Sequence, residues 1–252
     1  EIKINPTPAD EIPAAITGEA GPLQGEDLYY YSDNPKTRGY LAVPEGDEPK
    51  GAIILIHEWN GLTQRVREAT DAFAAEGYVA LAADLYQGRT GTNRDENMVL
   101  VRESLANMPE IITNLEAAAS YLKERPDVNG KVAAIGWCYG GGVALSYALG
   151  SENHEGTAIF YGRLVDDPEK LKHLHHEILG TFARLDRGPS PEQVDGFAKA
   201  LRAAGIENDL HIYDDVRHGF WLHVERDQLN SEGPALHAWN RLRAYLKRTI
   251  GS

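Results

Sequence analysis

Lys131-Val132-Ala133-Ala134-Ile135-Gly136-Trp137-Cys138-Tyr139-Gly140-Gly141-Gly142-Val143-Ala144-Leu145-Ser146-Tyr147-Ala148-Leu149 is the stretch that decides the fold. An apolar run ends at Ile135, glycines frame a cysteine, and a helix-like segment starts at Val143. Strand, sharp turn and helix with a nucleophile at the turn is the pattern of a nucleophile elbow. Its central residue sits in strained backbone, so the positions two residues away must be small. The helix that follows aims free N–H groups and its positive dipole end at Cys138, which favours a thiolate and a developing oxyanion. A buried structural cysteine is the plain alternative, since free Cys is common in cores. The glycine frame speaks against it. The spacing of glycines 136, 140, 141 and 142 also fails the G-x-G-x-x-G dinucleotide turn.

Outward from this stretch the pattern alternates. Ala52–Ile56 and Tyr78–Ala83 read as strands buried on both faces, with a helix over Val66–Glu76 between them that stops at Gly77. A long helical region covers about 94–124, with a break expected at Pro109. Further strands are expected at Thr157–Tyr161, Glu177–Phe182 and Asp209–Tyr213, with helices over Pro191–Ala204 and Pro234–Thr249. Leu28–Tyr31 and Arg38–Val43 read as a strand pair. Repeated β-α units imply an α/β fold with a mostly parallel, doubly wound sheet and helices on both faces. Residues 1–27, rich in proline, read as an extended arm on a single domain spanning 28–252.

The chain has 252 residues, 42% of them hydrophobic and 25% charged, enough to bury a sizeable core. With 25 basic and 38 acidic residues its formal net charge is −13, which argues against nucleic acid as a partner. No uncharged apolar run reaches the length of a membrane span. A single cysteine rules out an internal disulfide and a C-x-x-C pair. That fits a reducing compartment such as the cytoplasm. An exported mature form stays open, because the chain begins with Glu1. The sequence leaves monomer and dimer equally open. His173, His175 and His176 lack a Cys or a clean i, i+4 pair, so surface histidines are expected there and no metal or cofactor.

A thiol needs a base, and the base needs an orienting group. Asp186 follows the strand ending at Phe182, and His218 follows the strand ending at Tyr213. The order Cys138, Asp186, His218 is that of an α/β-hydrolase. Asp186 could equally be a turn residue before Gly188-Pro189, and His218 a loop histidine without a task. The loop His57-Glu58-Trp59-Asn60-Gly61 is the expected place for a second oxyanion N–H, from Trp59, beside that of Tyr139. Glu58 there would either share a proton with Cys138 or pair with a nearby Arg.

Together these residues resemble the dienelactone hydrolase (carboxymethylenebutenolidase-like) family of α/β-hydrolases. The matches are His57-Glu58 with Gly61, Asp84-Leu85-Tyr86, Gly136-x-Cys138-x-Gly140-Gly141, Asp186, and His218-Gly219-Phe220. The resemblance implies a Cys138-His218-Asp186 triad acting on an ester or lactone carbonyl. It also implies Glu58 as receiver of the thiol proton and Trp59 and Tyr139 as oxyanion donors. Two arginines that hold an anionic lactone in the family correspond here to Gly88 and Leu222. Arg89, one residue late, is expected at the substrate pocket. With Trp59, Trp137, Tyr139, Trp221 and Leu222 expected as pocket walls, uncharged esters are the expected substrates. Two other readings stay open: attack of the same thiolate on phosphotriesters or other activated esters, and a non-catalytic protein of this fold that binds a small molecule.

Overall fold

The computed structural model describes Ile2 and residues 5–251. The strands are β1 (Glu26–Leu28), β2 (Gly39–Ala42), β3 (Lys50–Ile56), β4 (Val79–Ala83), β5 (Val128–Trp137), β6 (Gly156–Phe160), β7 (Ile178–Ala183) and β8 (Asn208–Tyr213). They form one sheet in the order β1-β2-β4-β3-β5-β6-β7-β8. The first two pairings are antiparallel and all others parallel. From β3 to β7 almost every residue is buried, which explains the unbroken apolar runs: helices cover both faces.

The helices are α1 (Ala14–Thr17), α2 (Gln64–Ala75), α3 (Arg94–Leu105), α4 (Met108–Lys123), α5 (Tyr139–Gly150), α6 (Pro168–Leu171), α7 (Pro191–Ala204) and α8 (Gln228–Ile250). In α2, Val66, Ala69, Thr70, Phe73 and Ala74 recur at helical spacing and bury one stripe; Gly77, at φ 97°, follows its end. A Ser190–Gln193 capping box opens α7 and left-handed Gly205 closes it. Among the described residues, no helix is long and apolar enough to cross a membrane.

Several boundaries differ from the sequence expectation. Tyr29–Tyr31 lie outside any strand; Tyr30 and Tyr31 instead pack against α4, where their hydroxyls donate to Asn114 and Glu110. The long helical region breaks at Ala106–Asn107, and Pro109 sits in the first turn of α4, where it lacks only a donor that would go unused. Helix α8 starts before Pro234, which removes one interior hydrogen bond without ending the helix. The N-terminal segment contains α1, whose buried Ile16 reaches the core, so part of it is helical rather than extended. The boundary drawn at residue 27 falls inside β1.

This topology positions the site. From the central β3 the chain steps to β4 on one side, then crosses to β5 and builds outward through β8 on the other. At such a switch point the loops leaving the carboxyl ends of neighbouring strands part and leave a crevice. The register Ile56↔Gly136 sets the loop after β3 directly beside the elbow after β5.

Candidate active site

Cys138 occupies φ 59°, ψ −119°, a conformation costly for a residue with a Cβ. The surroundings enforce it. Its N–H donates to Phe160 O at 2.9 Å, while its own carbonyl accepts from Gly141 N at 3.0 Å and Gly142 N at 3.3 Å. A Cβ on Gly140 would lie 2.2 Å from Ile56 O, so bare glycine lets the loop after β3 approach the elbow. The thiol is partly exposed at the start of α5. Among the described residues, the N–H groups of Tyr139 and Trp59 have no acceptor.

His218 and Asp186 come together from separate loops. Nδ1 of His218 lies 2.6 Å from Oδ2 of Asp186, whose Oδ1 accepts from Gly188 N at 2.9 Å. An ionised carboxylate only accepts, so Nδ1 carries a proton and Nε2 is left for the thiol side. Burial pushes the imidazole pKa down. The hydrogen bonds to Asp186 and Cys138 and the nearby thiolate and carboxylate charges outweigh it and raise it to about 10.

The loop after β3 is held by polar ties. Leu85 N donates to His57 Nε2 at 3.1 Å, so His57 Nδ1 carries the proton and donates to Glu58 O at 2.7 Å. Burial lowers the His57 pKa and keeps this clamp neutral. Tyr86 Oη donates to Trp59 O at 2.9 Å. Tyr86 is itself placed by Asp84, whose carboxylate accepts from the backbone of Arg38, Tyr86 and Gly88. The Asp84-Leu85-Tyr86 motif thus fixes the loop that carries Trp59. The partner of Glu58 is a histidine, not an arginine: His223 Nε2 meets Glu58 Oε1 at 2.7 Å.

A cavity of about 630 Å³ opens over Cys138. One wall is apolar, with Met98, Val101 and Leu105 from α3, Met108 from α4, and Val143 and Leu145 from α5. Trp59 and Tyr139 also line it, and Arg163, Asp166, Asp167 and Lys170 stand at its other side. Tyr139 Oη is hydrogen-bonded to Ser104 Oγ, which ties α3 over the site.

Four residues expected at the pocket lie elsewhere. Trp137 and Trp221 stack at 5.8 Å in the core cluster with Phe160 and Trp239, because alternation along β5 turns residue 137 to the face opposite the cavity. Leu222 is fully buried beside them. Arg89 is about half exposed and pairs with Glu103 on α3 at 2.8 Å.

Sequence reasoning missed His223 and Tyr161. Tyr161 follows β6 at φ 39°, buried, with its ring centroid 5.0 Å from that of His218. Burial raises its pKa, and the charges of Glu58 and Cys138 add to the shift. Neither residue belongs to a short motif; their signal is position alone, one after β6 and one five residues beyond His218.

A mostly parallel sheet with a strained, glycine-framed cysteine after β5, an acid after β7 and a histidine after β8 defines an α/β-hydrolase. The dienelactone hydrolase family model matches residues 37–250, and the chain belongs to that family; it is a hydrolase of the ester and lactone type. Protein usf of Aquifex pyrophilus is 29% identical over 232 residues, covering 90% of this chain and 99% of that protein. A protein provisionally named carboxymethylenebutenolidase from Aquifex aeolicus (strain VF5) is 28% identical, over 88% of this chain and all of its own. Among solved structures, a dienelactone hydrolase-like promiscuous phosphotriesterase, P91, from metagenomic libraries superposes with a TM-score of 0.76. Identity there is 18%, with 90% of this chain and 98% of the other covered, so that likeness speaks for the fold.

Proposed function

We propose that this protein hydrolyses carboxylic esters or lactones through a Cys138-His218-Asp186 triad and a thioester intermediate, and that it favours uncharged acyl groups. The thiol gives its proton to His218 Nε2, and the thiolate attacks the substrate carbonyl. The N–H groups of Trp59 and Tyr139 receive the oxyanion. Collapse breaks the C–O bond of the ester, and His218 returns the proton to the departing alkoxide. Water then gives a proton to His218 and attacks the thioester; its C–S bond breaks, releasing the acid and restoring the thiol.

The observation that carries this reading is the 2.6 Å pairing of His218 Nδ1 with Asp186, together with an elbow cysteine held at positive φ. The substrate preference rests on the cavity. Its α3 wall is apolar, and Arg163 and Lys170 at the other side are matched by Asp166 and Asp167. No arginine fork of the kind that grips a carboxylate occupies the Gly88 or Leu222 position.

Mass spectrometry after mixing with a slow ester tests the chemistry. An acyl adduct on Cys138 that is absent in Cys138→Ala is expected; a folded protein with neither adduct nor turnover would favour the binding reading. Turnover of p-nitrophenyl acyl esters above that of dienelactone is expected, and a large preference for dienelactone would overturn the specificity.

A further inference from the structure

Glu58, on the loop whose backbone abuts Gly140 of the elbow, forms a buried pair with His223, with 7% and 8% of their surfaces exposed. A carboxylate in such a place must be partnered, because an unpaired buried charge is costly. Its partner is not a permanent cation but an imidazole, and what imidazole offers depends on which nitrogen carries the proton.

Arg65 decides that. Its Nη1 points at Leu222 O (2.5 Å), His223 Nδ1 (3.2 Å) and Glu225 Oε2 (3.1 Å), and its Nη2 donates to Glu225 Oε1 at 2.8 Å. Guanidinium has donors only, so Nδ1 of His223 must present its lone pair to Arg65. The ring proton then sits on Nε2 and is donated to Glu58 Oε1. A second proton on Nδ1 would set two cations against each other. The charged groups facing His223 are Glu58, Arg65 and Glu225, the last 3.7 Å from Nδ1, with Glu68 behind Arg65 at 3.7 Å. Helix α1, which packs on the 3-10 turn Val224–Arg226, brings no titratable side chain.

The pair also reaches the reacting centre. The Tyr161 hydroxyl feels the charge of Glu58 and that of Cys138, and accepts from Leu222 N, the residue next to His223. The backbone of the loop bearing Glu58 abuts Gly140 of the elbow.

We propose that His223, fixed as its Nε2–H tautomer by Arg65, is the positioning residue for Glu58, and that this hydrogen bond sets how the Glu58 carboxylate faces the Cys138 thiol. The inference rests on Cys138 as the reactive thiol of the proposed function. It differs from a packing role for His223 because it demands a donor at one ring position and an acceptor at the other.

The test is the pH profile of Cys138 alkylation by iodoacetamide, read unambiguously because the chain has one cysteine. His223→Leu keeps apolar bulk but leaves Glu58 without its donor. It is expected to displace the alkylation midpoint by about one pH unit or more, the size of effect a relocated neighbouring charge produces. His223→Gln supplies an amide N–H to Glu58 and an oxygen to Arg65, and is expected to restore most of the parent profile. A folded Leu variant with the parent midpoint, or a Gln variant displaced as far as Leu, overturns the proposal. Should the Leu variant not fold, ¹⁵N-histidine spectra of the unmodified protein decide. The Nε2–H pattern at His223, lost or mixed in Arg65→Met, is expected; Nδ1–H in the parent overturns it. Shifted alkylation without any ester turnover would uphold the positioning role and sink the esterase reading.

Discussion

A Cβ atom placed on Gly136 would lie 1.9 Å from the carbonyl oxygen of Gly140. That contact closes the elbow, since it brings the last residues of β5 against the first turn of α5 and leaves Cys138 no other conformation. The obstacle is backbone, so no side chain can move aside. Gly136→Ala is expected to lower the thermal midpoint by several degrees, reflecting an overpacking cost of about 1–3 kcal/mol or more, and to change the rate at which Cys138 is alkylated. Gly150→Ala at the far end of α5, where the nearest atoms to a new Cβ are 3.5 Å away, is the control and should be neutral or stabilising. Equal midpoints for the two variants would show that the elbow tolerates a side chain.

Burial works against the charged His218 imidazole, but its interactions with Asp186 and Cys138 outweigh it and hold its pKa well above the free value. A group raised in the folded state contributes stability below its unfolded pKa and loses it as pH rises through the folded value. The contribution is thus complete below about pH 6.5 and disappears toward the folded pKa of about 10. Asp186→Asn removes the carboxylate, so the imidazole should titrate lower by NMR. Turnover should fall by about 10²- to 10⁴-fold, the range seen when the orienting acid of a triad is neutralised. The variant should also lose less stability than the parent between pH 7 and 10.5 in denaturant melts. An unchanged His218 titration would mean that Asp186 is only a turn residue.

The elbow, the succession of strands and helices along the chain, and the sequence order of Cys138, Asp186 and His218 were legible because each depends on local patterns. Buried parallel strands are apolar runs, glycines mark close backbone approach, and loops follow strand ends. The side of the sheet a residue faces was harder. Trp137 adjoins the nucleophile in sequence but points into the core, because one step along β5 reverses the face. Trp221 and Leu222 follow it there. The real cavity wall, Met98, Val101 and Leu105, lies on α3 among charged residues such as Asp95, Glu96, Arg102 and Glu103. Its apolar side found a partner only once α3 crossed over Tyr139. His223 was out of reach for another reason: Glu58 and its partner are 165 residues apart and meet only through tertiary folding.

Beneath the helix that carries the nucleophile, Tyr147 of α5 stacks on His154 at 4.2 Å, and His154 meets His176 edge-on at 4.9 Å. Among the described residues, neither ring nitrogen of His154 has a partner, while His176 Nε2 is paired with Thr157 Oγ1 at 2.7 Å. Burial, then each ring's cationic neighbours, lowers the pKa of His154 to about 3; burial above all lowers that of His176 to about 4. Here the sign is opposite to that of His218. The unfolded chain binds protons at these rings below about pH 6.5 and the folded chain does not, so stability falls as pH drops through that window. It levels off only near pH 3–4, once the folded rings also charge. His154→Phe keeps the stacking on Tyr147 and removes one proton site. Urea midpoints of the parent are expected to fall between pH 7 and 4, and the variant should fall markedly less, on the order of a few kcal/mol over the interval. Parallel decline of parent and variant would assign the acid sensitivity to groups other than these two rings.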